Sequence, residues 1–437
     1  MHSSVVATPP YARRVALLGS ENAFKITPRI REIEAQGDRV IKCHVGEPDF
    51  PLPPHIAAEV KRQIDLGQTH YCDPQGIESV RAAIAREVGA ARGLSITAGR
   101  VVIFPGAKPP IGFAQQIYCD PGDEVIYPSP GFPIYESFTR YLGAVPVPLH
   151  LREERGFTCS ATELAPLITK HTKLIYLNFP SNPTGGVASR EQLAELADLI
   201  LRRAPGDVRV YSDEVYERIL FDGAQHHSIA SIPGMQERTI IVSGVSKSYA
   251  WTGGRVGWAI LPTVEEAEAF RNLNINYLSC VPGYNQLGAK LAIESPESEP
   301  AIAAMVAEFQ RRRDVIVRQL DSIRGITCTT PKGAFYVFPN IAGLCARLGV
   351  IDAWNALPSS ERDATSPSTL FQRFLLGSYH VSTLDRRSFG TIGSEGEHFL
   401  RLSIATSLED LTEAAFRIAM AADDRDGFRH FIEGMRQ

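Results

Sequence analysis

The chain has 437 residues, 44% of them hydrophobic and 22% charged, and its 45 Lys and Arg against 49 Asp and Glu leave a net charge of −4. This is ordinary globular usage at a length that fits two or three domains, which excludes disordered, collagen-like and coiled-coil classes. The mild acidity offers no broad basic field for nucleic acid, and no apolar run approaches the ~20 residues that a membrane helix needs.

In chain order, the start MHSSVVATPPYARR lacks a basic stretch followed by an apolar one, which argues against a secretory signal. Strands are predicted at Arg100–Phe104, Glu124–Tyr127, Lys173–Asn178, Val208–Ser212 and Thr239–Ser243. Between them lie segments of helical period, such as Ser189–Arg203 with Leu193, Leu196, Ala197 and Ile200 on one face. This alternation predicts an α/β fold: a three-layer αβα large domain with a mostly parallel sheet. The C-terminal third reads differently. A long helix is predicted over Pro300–Ile323, short strands at Ala334–Phe338, His380–Ser382 and Phe399–Ile404, and a last helix from Ser407, with Asp410 in capping position. A smaller α+β domain follows from that mixture. The expected division is 1–55 as an N-terminal segment joining the small domain, 56–297 as the large domain and 298–437 as the small one. Asn355–Ser368, rich in Pro and Ser, is predicted to be a surface loop, and Asp385–Glu397, with several Gly and Ser after an Arg pair, a loop. The seven cysteines are scattered without CxxC or zinc spacing, as expected of reduced thiols in a cytoplasmic protein; no metal site is predicted.

In parallel α/β sheets, ligands bind at the carboxyl ends of the strands, so the residues just after each strand carry the functional reading. After the first come Gly106, Ala107 and Lys108, a turn into a helix start suited to an anion. The second is followed by a loop ending in Phe132, which could stack on a flat ring. The third leads into Phe179–Gly186, whose prolines and glycines fix the position of Asn182. Next to the fourth stand Asp213 and Tyr216, and a carboxylate there needs a cation or a protonated ring nitrogen. Beyond the fifth come Ser246, Lys247 and Arg255 in a glycine-rich run: an amine suited to a Schiff base and a guanidinium suited to phosphate. Arg401 in an apolar strand could clamp a carboxylate. Taken singly, these have ordinary explanations: a Pro-Gly turn, a core aromatic, a helix N-cap, an outward Arg on an edge strand. Together they are a parts list for pyridoxal phosphate plus an amino acid.

Over nearly its whole length the sequence resembles the fold-type I, pyridoxal-phosphate-dependent aminotransferases of class I/II, most of all the aspartate aminotransferase-like branch with Gly-Glu-Pro-Asp-Phe near its start, here Gly46–Phe50. The resemblance implies that Lys247 forms a Schiff base with pyridoxal 5'-phosphate and then acts as general base. It implies that Asp213 pairs with the ring nitrogen, and that Tyr216 and Asn182 bond the phenolic oxygen while Phe132 stacks on the ring. Gly106, Ala107, Lys108, Ser246 and Arg255 would surround the phosphate. Tyr71 would reach the phosphate of the neighbouring subunit in a homodimer. Gly46, Asn182 and Arg401 would hold the substrate carboxylate. The expected reaction is ping-pong transfer of an amino group from an L-amino acid, aspartate or an aromatic or neutral one, to a 2-oxo acid. The alternative is another reaction of this cofactor on the same fold, a C–S or β-eliminating lyase or an oxidase-like enzyme. A ligand-sensing regulator is disfavoured, since ~60 residues for a helix-turn-helix domain are missing before Gly46. Three departures stand out: Gly244 where relatives carry Ser or Thr, Thr383-Leu384 where they often carry Pro-Gly, and Trp251 in place of a smaller residue.

Overall fold

The computed structural model describes residues 10–19 and 21–435. The expectation of no signal at the very start concerns residues 1–9, which lie outside the described part, as does the beginning of the 1–55 segment. Strand β1 (Ile41–Lys42) precedes a seven-stranded sheet of β2 (Val101–Phe104), β3 (Glu124–Ser129), β4 (Val145–His150), β5 (Thr172–Asn178), β6 (Arg209–Asp213), β7 (Thr239–Gly244) and β8 (Gly257–Ile260). Their order is β2-β8-β7-β6-β5-β3-β4, parallel throughout except that β8 runs antiparallel to both β7 and β2.

Adjacent residues along each strand face opposite layers, so a buried strand must be apolar on both sides. Phe104, Tyr127, Tyr176, Tyr211 and Val242 pack on one side beneath the helices Pro109–Tyr118, Ile134–Leu142 and Val264–Tyr277. Their neighbours Ile103 and Ile241 face the helices Glu78–Arg92 and Gly283–Glu294, and Ile126, Ile175 and Val210 face Arg190–Arg203. The last of these helices opens at Ser189, whose hydroxyl accepts from the Gln192 N–H while the Gln192 side chain accepts from the Ser189 N–H. Two strands of this sheet are absent from the sequence reading, as are the two-residue strand β1 and the strand Leu384–Asp385. β4 carries Pro146 and Pro148, which an edge strand tolerates because the missing N–H can face outward. β8 is four residues long and follows directly on the glycine-rich run.

The remaining elements gather around the helix Ser298–Asp321. β9 (Tyr336–Val337), β10 (Val381–Ser382), β11 (Leu384–Asp385) and β12 (Leu400–Ser403) form two small sheets: β11-β12-β9, antiparallel, and β1 beside β10, parallel. The N-terminal strand is thereby joined to the C-terminal elements. Asp385–Glu397 is a loop only after Phe389, since Asp385 belongs to β11 and Arg386–Phe389 form a 3-10 helix with Arg386 and Phe389 buried. Asn355–Ser368 is not a loop. It contains the helix Ser359–Ala364 after Pro358, and Pro367 opens the helix Pro367–Tyr379 behind a Ser366 cap. Proline at the first helical position and serine at the N-cap start helices as readily as they mark loops. Ser407 caps the helix Leu408–Asp423, its hydroxyl accepting from Asp410 N–H at 3.0 Å. That helix is not the last, since Arg425–Met435 follows it. Among the described residues, no helix is long and apolar enough to cross a membrane, and all seven cysteines are free thiols.

Candidate active site

The carboxyl ends of β2, β5, β6 and β7 open into one cleft of about 450 Å³. All but two of the candidate catalytic, cofactor-binding and substrate-binding residues line it, the exceptions being Gly106 and Tyr71. Gly106 (φ +90°) lies just behind the wall, where a Cβ would run into the Arg255 guanidinium. Tyr71 is 90% exposed on this chain.

Asp213 ends β6. Its Oδ2 accepts from the Tyr135 hydroxyl at 2.6 Å, and its Oδ1 is buried with no hydrogen-bond partner among the described residues. Burial, only partly offset by the Tyr135 bond, pushes its carboxyl up to about 6. Asn178 at the end of β5 fixes the neighbourhood. It donates to the Asp213 carbonyl at 3.0 Å and accepts from the Asn182 N–H at 2.9 Å. Behind Asp213, Glu214 and Glu217 close on the buried Arg92 guanidinium, and His226 and Ser228 also bond Glu214. Glu214, Glu217 and His226 have metal-ligand spacing, but Arg92 already supplies the cation.

Lys247 follows β7, and its Nζ donates to the Gly46 carbonyl at 2.6 Å. Desolvation lowers its amine to about 8, against the pull of Glu47. Position 46 has room only for glycine, since a Cβ there would strike the Tyr336 hydroxyl. That hydroxyl lies 2.8 Å from the Tyr216 hydroxyl. The sequence left open which serine stands in at Gly244. Ser246 lines the cleft, whereas Ser243 turns away and donates to Glu217 at 2.8 Å. Arg255 donates to the Thr252 and Pro105 carbonyls at 2.8 and 3.0 Å. Arg401 on β12 is buried between the Tyr336 and Phe389 rings, 4.5 and 5.0 Å from their centroids, and it bonds the Asn182 side chain and the His44 carbonyl. Its Nε is buried without a partner among the described residues.

Pyridoxal phosphate suits this donor set. The unpaired Asp213 Oδ1 matches a ring N–H, the flat face of Phe132 matches a heteroaromatic ring, and Arg255 and Ser246 match a phosphate. The open Arg401 Nε matches a substrate carboxylate. Tyr135, Asn178 and Tyr336 escaped the sequence reading, because only their packing partners, far away in the chain, give them a role. Of the three departures, Leu384 lines the cleft, Thr383 is buried outside its lining, and Trp251 packs beneath it in the core.

The family model for aminotransferase class I and II matches residues 38–418. A probable aspartate/prephenate aminotransferase of Aquifex aeolicus is 33% identical, over 94% of this chain and 98% of its own. The crystal structure of the aspartate aminotransferase from Rhizobium meliloti superposes with a TM-score of 0.84 at 32% identity, covering 94% of this chain and 98% of that one. An aromatic aminotransferase from Pyrococcus horikoshii gives a TM-score of 0.78 at 31% identity, covering 91% and 100%. The chain therefore belongs to the class I and II aminotransferases, pyridoxal-phosphate-dependent transferases of fold type I.

Proposed function

We propose that this aminotransferase moves an amino group from an L-amino acid to a 2-oxo acid in two half-reactions at the cleft described above, with Lys247 carrying the proton. The observation that carries the assignment is the pairing, in one cleft, of a desolvated lysine with a buried carboxylate oxygen that lacks a partner among the described residues. When bound, pyridoxal phosphate supplies the aldehyde that takes up the amine and an electron-withdrawing ring that acidifies the α-carbon. Lys247, lowered to about 8, is partly unprotonated near neutral pH and can accept the α-proton and return it. Asp213 keeps a ring nitrogen charged, while Tyr135 holds its other oxygen. Tyr216, braced by Tyr336, and Asn182 address the ring's phenolic oxygen. Arg255 and Ser246, with the backbone N–H groups of Ala107 and Lys108 and with Gly106 behind them, receive the phosphate, while the Lys108 side chain is held by Glu21. Arg401, steered by Asn182 and by the backbone next to Gly46, clamps the α-carboxylate common to donor and acceptor.

The proposed assembly is a cytoplasmic homodimer in which Tyr71 serves the neighbouring site; its 90% exposure on a single chain supports that reading. A fully active monomer would overturn it. The test of the function is the absorbance of the purified holoenzyme, titrated with single L-amino acids. The yellow colour should fade with a competent donor and return on adding a 2-oxo acid. Release of ammonia or peroxide instead would favour the lyase or oxidase chemistry of the same cofactor.

A further inference from the structure

Among the described residues, four cations line the cleft: Lys108, Lys247, Arg255 and Arg401. Lys247 and Arg255 bond only carbonyls, and Arg401 bonds an amide oxygen and a carbonyl. Lys108 alone among the four is paired with a carboxylate, that of Glu21. Glu21 lines the same cleft, and its charge is felt at both Lys247 and Arg401.

On the transamination reading above, on which this inference rests, Lys247, Arg255 and Arg401 are engaged by the amine, the phosphate and the α-carboxylate. An acidic side chain then needs the fourth cation, which Glu21 already neutralises. Much of the remaining wall is apolar: Phe24, Val45, Ile111, Leu384 and Phe389. We propose that Glu21 is a specificity-determining residue that, by holding Lys108, turns the cleft against L-aspartate and L-glutamate and toward amino acids with neutral, apolar or aromatic side chains. A second carboxylate entering here meets a like charge and must break an existing ion pair, whereas an aromatic ring packs on the wall without either cost. Selection of this kind works through repulsion of the wrong substrate as much as attraction of the right one.

The test compares the wild-type holoenzyme with Glu21→Gln and Glu21→Ala in single-donor half-reactions with L-phenylalanine, L-leucine, L-aspartate and L-glutamate. The wild type is expected to favour phenylalanine over aspartate by at least about tenfold in kcat/KM, and both variants to raise the aspartate value by about tenfold while moving phenylalanine less than about twofold. A wild type that favours the acidic donors, or variants that leave the ratio unchanged, would overturn the proposal. Equilibrium binding of succinate and 3-phenylpropionate reads the same residue without turnover. Succinate should gain about tenfold on Glu21→Gln and 3-phenylpropionate should not; equal changes in both would remove Glu21 from selectivity. A protein that transaminates no donor yet shows this binding pattern would refute the transaminase reading and uphold the role of Glu21.

Discussion

Asp213 at the floor of the cleft and Phe24 at its rim border the same space but are held very differently. Asp213 is buried at a strand end, with Tyr135 on one oxygen and Asn178 on its carbonyl. Phe24 is 71% exposed on a four-residue helix, Asn22–Lys25, tied down by contacts such as the 2.8 Å bond from Asn22 to Ser388. Floor geometry is set by the sheet and has little freedom to drift. Rim geometry depends on a few side-chain contacts, so a substitution there can alter what binds while leaving the sheet intact. The chemistry belongs to the rigid part and the choice of substrate to the lightly held part.

The sharpest way to break the floor is Lys247→Ala. Transamination should fall by at least about 10³-fold, read as single-turnover rate, because the other lysine lining the cleft, Lys108, is paired with Glu21. Arg401→Ala should raise KM for donor and acceptor alike by about 10²-fold, since both present the same carboxylate; a change confined to one of them would detach Arg401 from the shared group. Tyr135→Phe leaves Asp213 Oδ2 without its donor, at about 1–3 kcal/mol. The hydroxyl lowers the Asp213 carboxyl, so its loss should move the acid limb of the kcat profile to higher pH. The smallest effect is on stability. The folded Lys247 amine sits near 8 against 10.5 for an ordinary lysine, so the native state binds fewer protons than the unfolded chain between those values. Stability of the cofactor-free protein should therefore rise with pH through that window, and below about pH 8 the full desolvation penalty is present. Cofactor-free Lys247→Met should lose that slope and melt about 2–4 °C higher at pH 7. A lower melting temperature would show that the lysine is not strained in its pocket.

Legibility in the sequence followed the same division. Strands buried on both faces announce themselves as apolar runs, and in a parallel sheet the residue after each run falls at the ligand edge. That placed Asp213, Asn182 and Lys247 without a structure. β4, interrupted by two prolines, and the helix Ser359–Ala364, hidden in a Pro/Ser-rich stretch, carry local signals that mean several things, and only tertiary packing decides among them. The pairing of Glu21 with Lys108 spans 87 positions and leaves no local trace at all.

The surroundings of Arg401 have a consequence for how the protein matures. Its guanidinium joins the His44 carbonyl, 357 positions earlier, to Asn182, 219 positions earlier. Contacts at such separations close late, because the loop entropy is lost before the contact repays it. During synthesis, His44 and Asn182 must wait for a strand made near the end of translation, so a substrate carboxylate finds no complete clamp on a partial chain. Acquisition of substrate binding can thus serve as a clock for the final stage of folding. Pulse-labelled chains should gain protection by a carboxylate inhibitor only after β12 has joined the core.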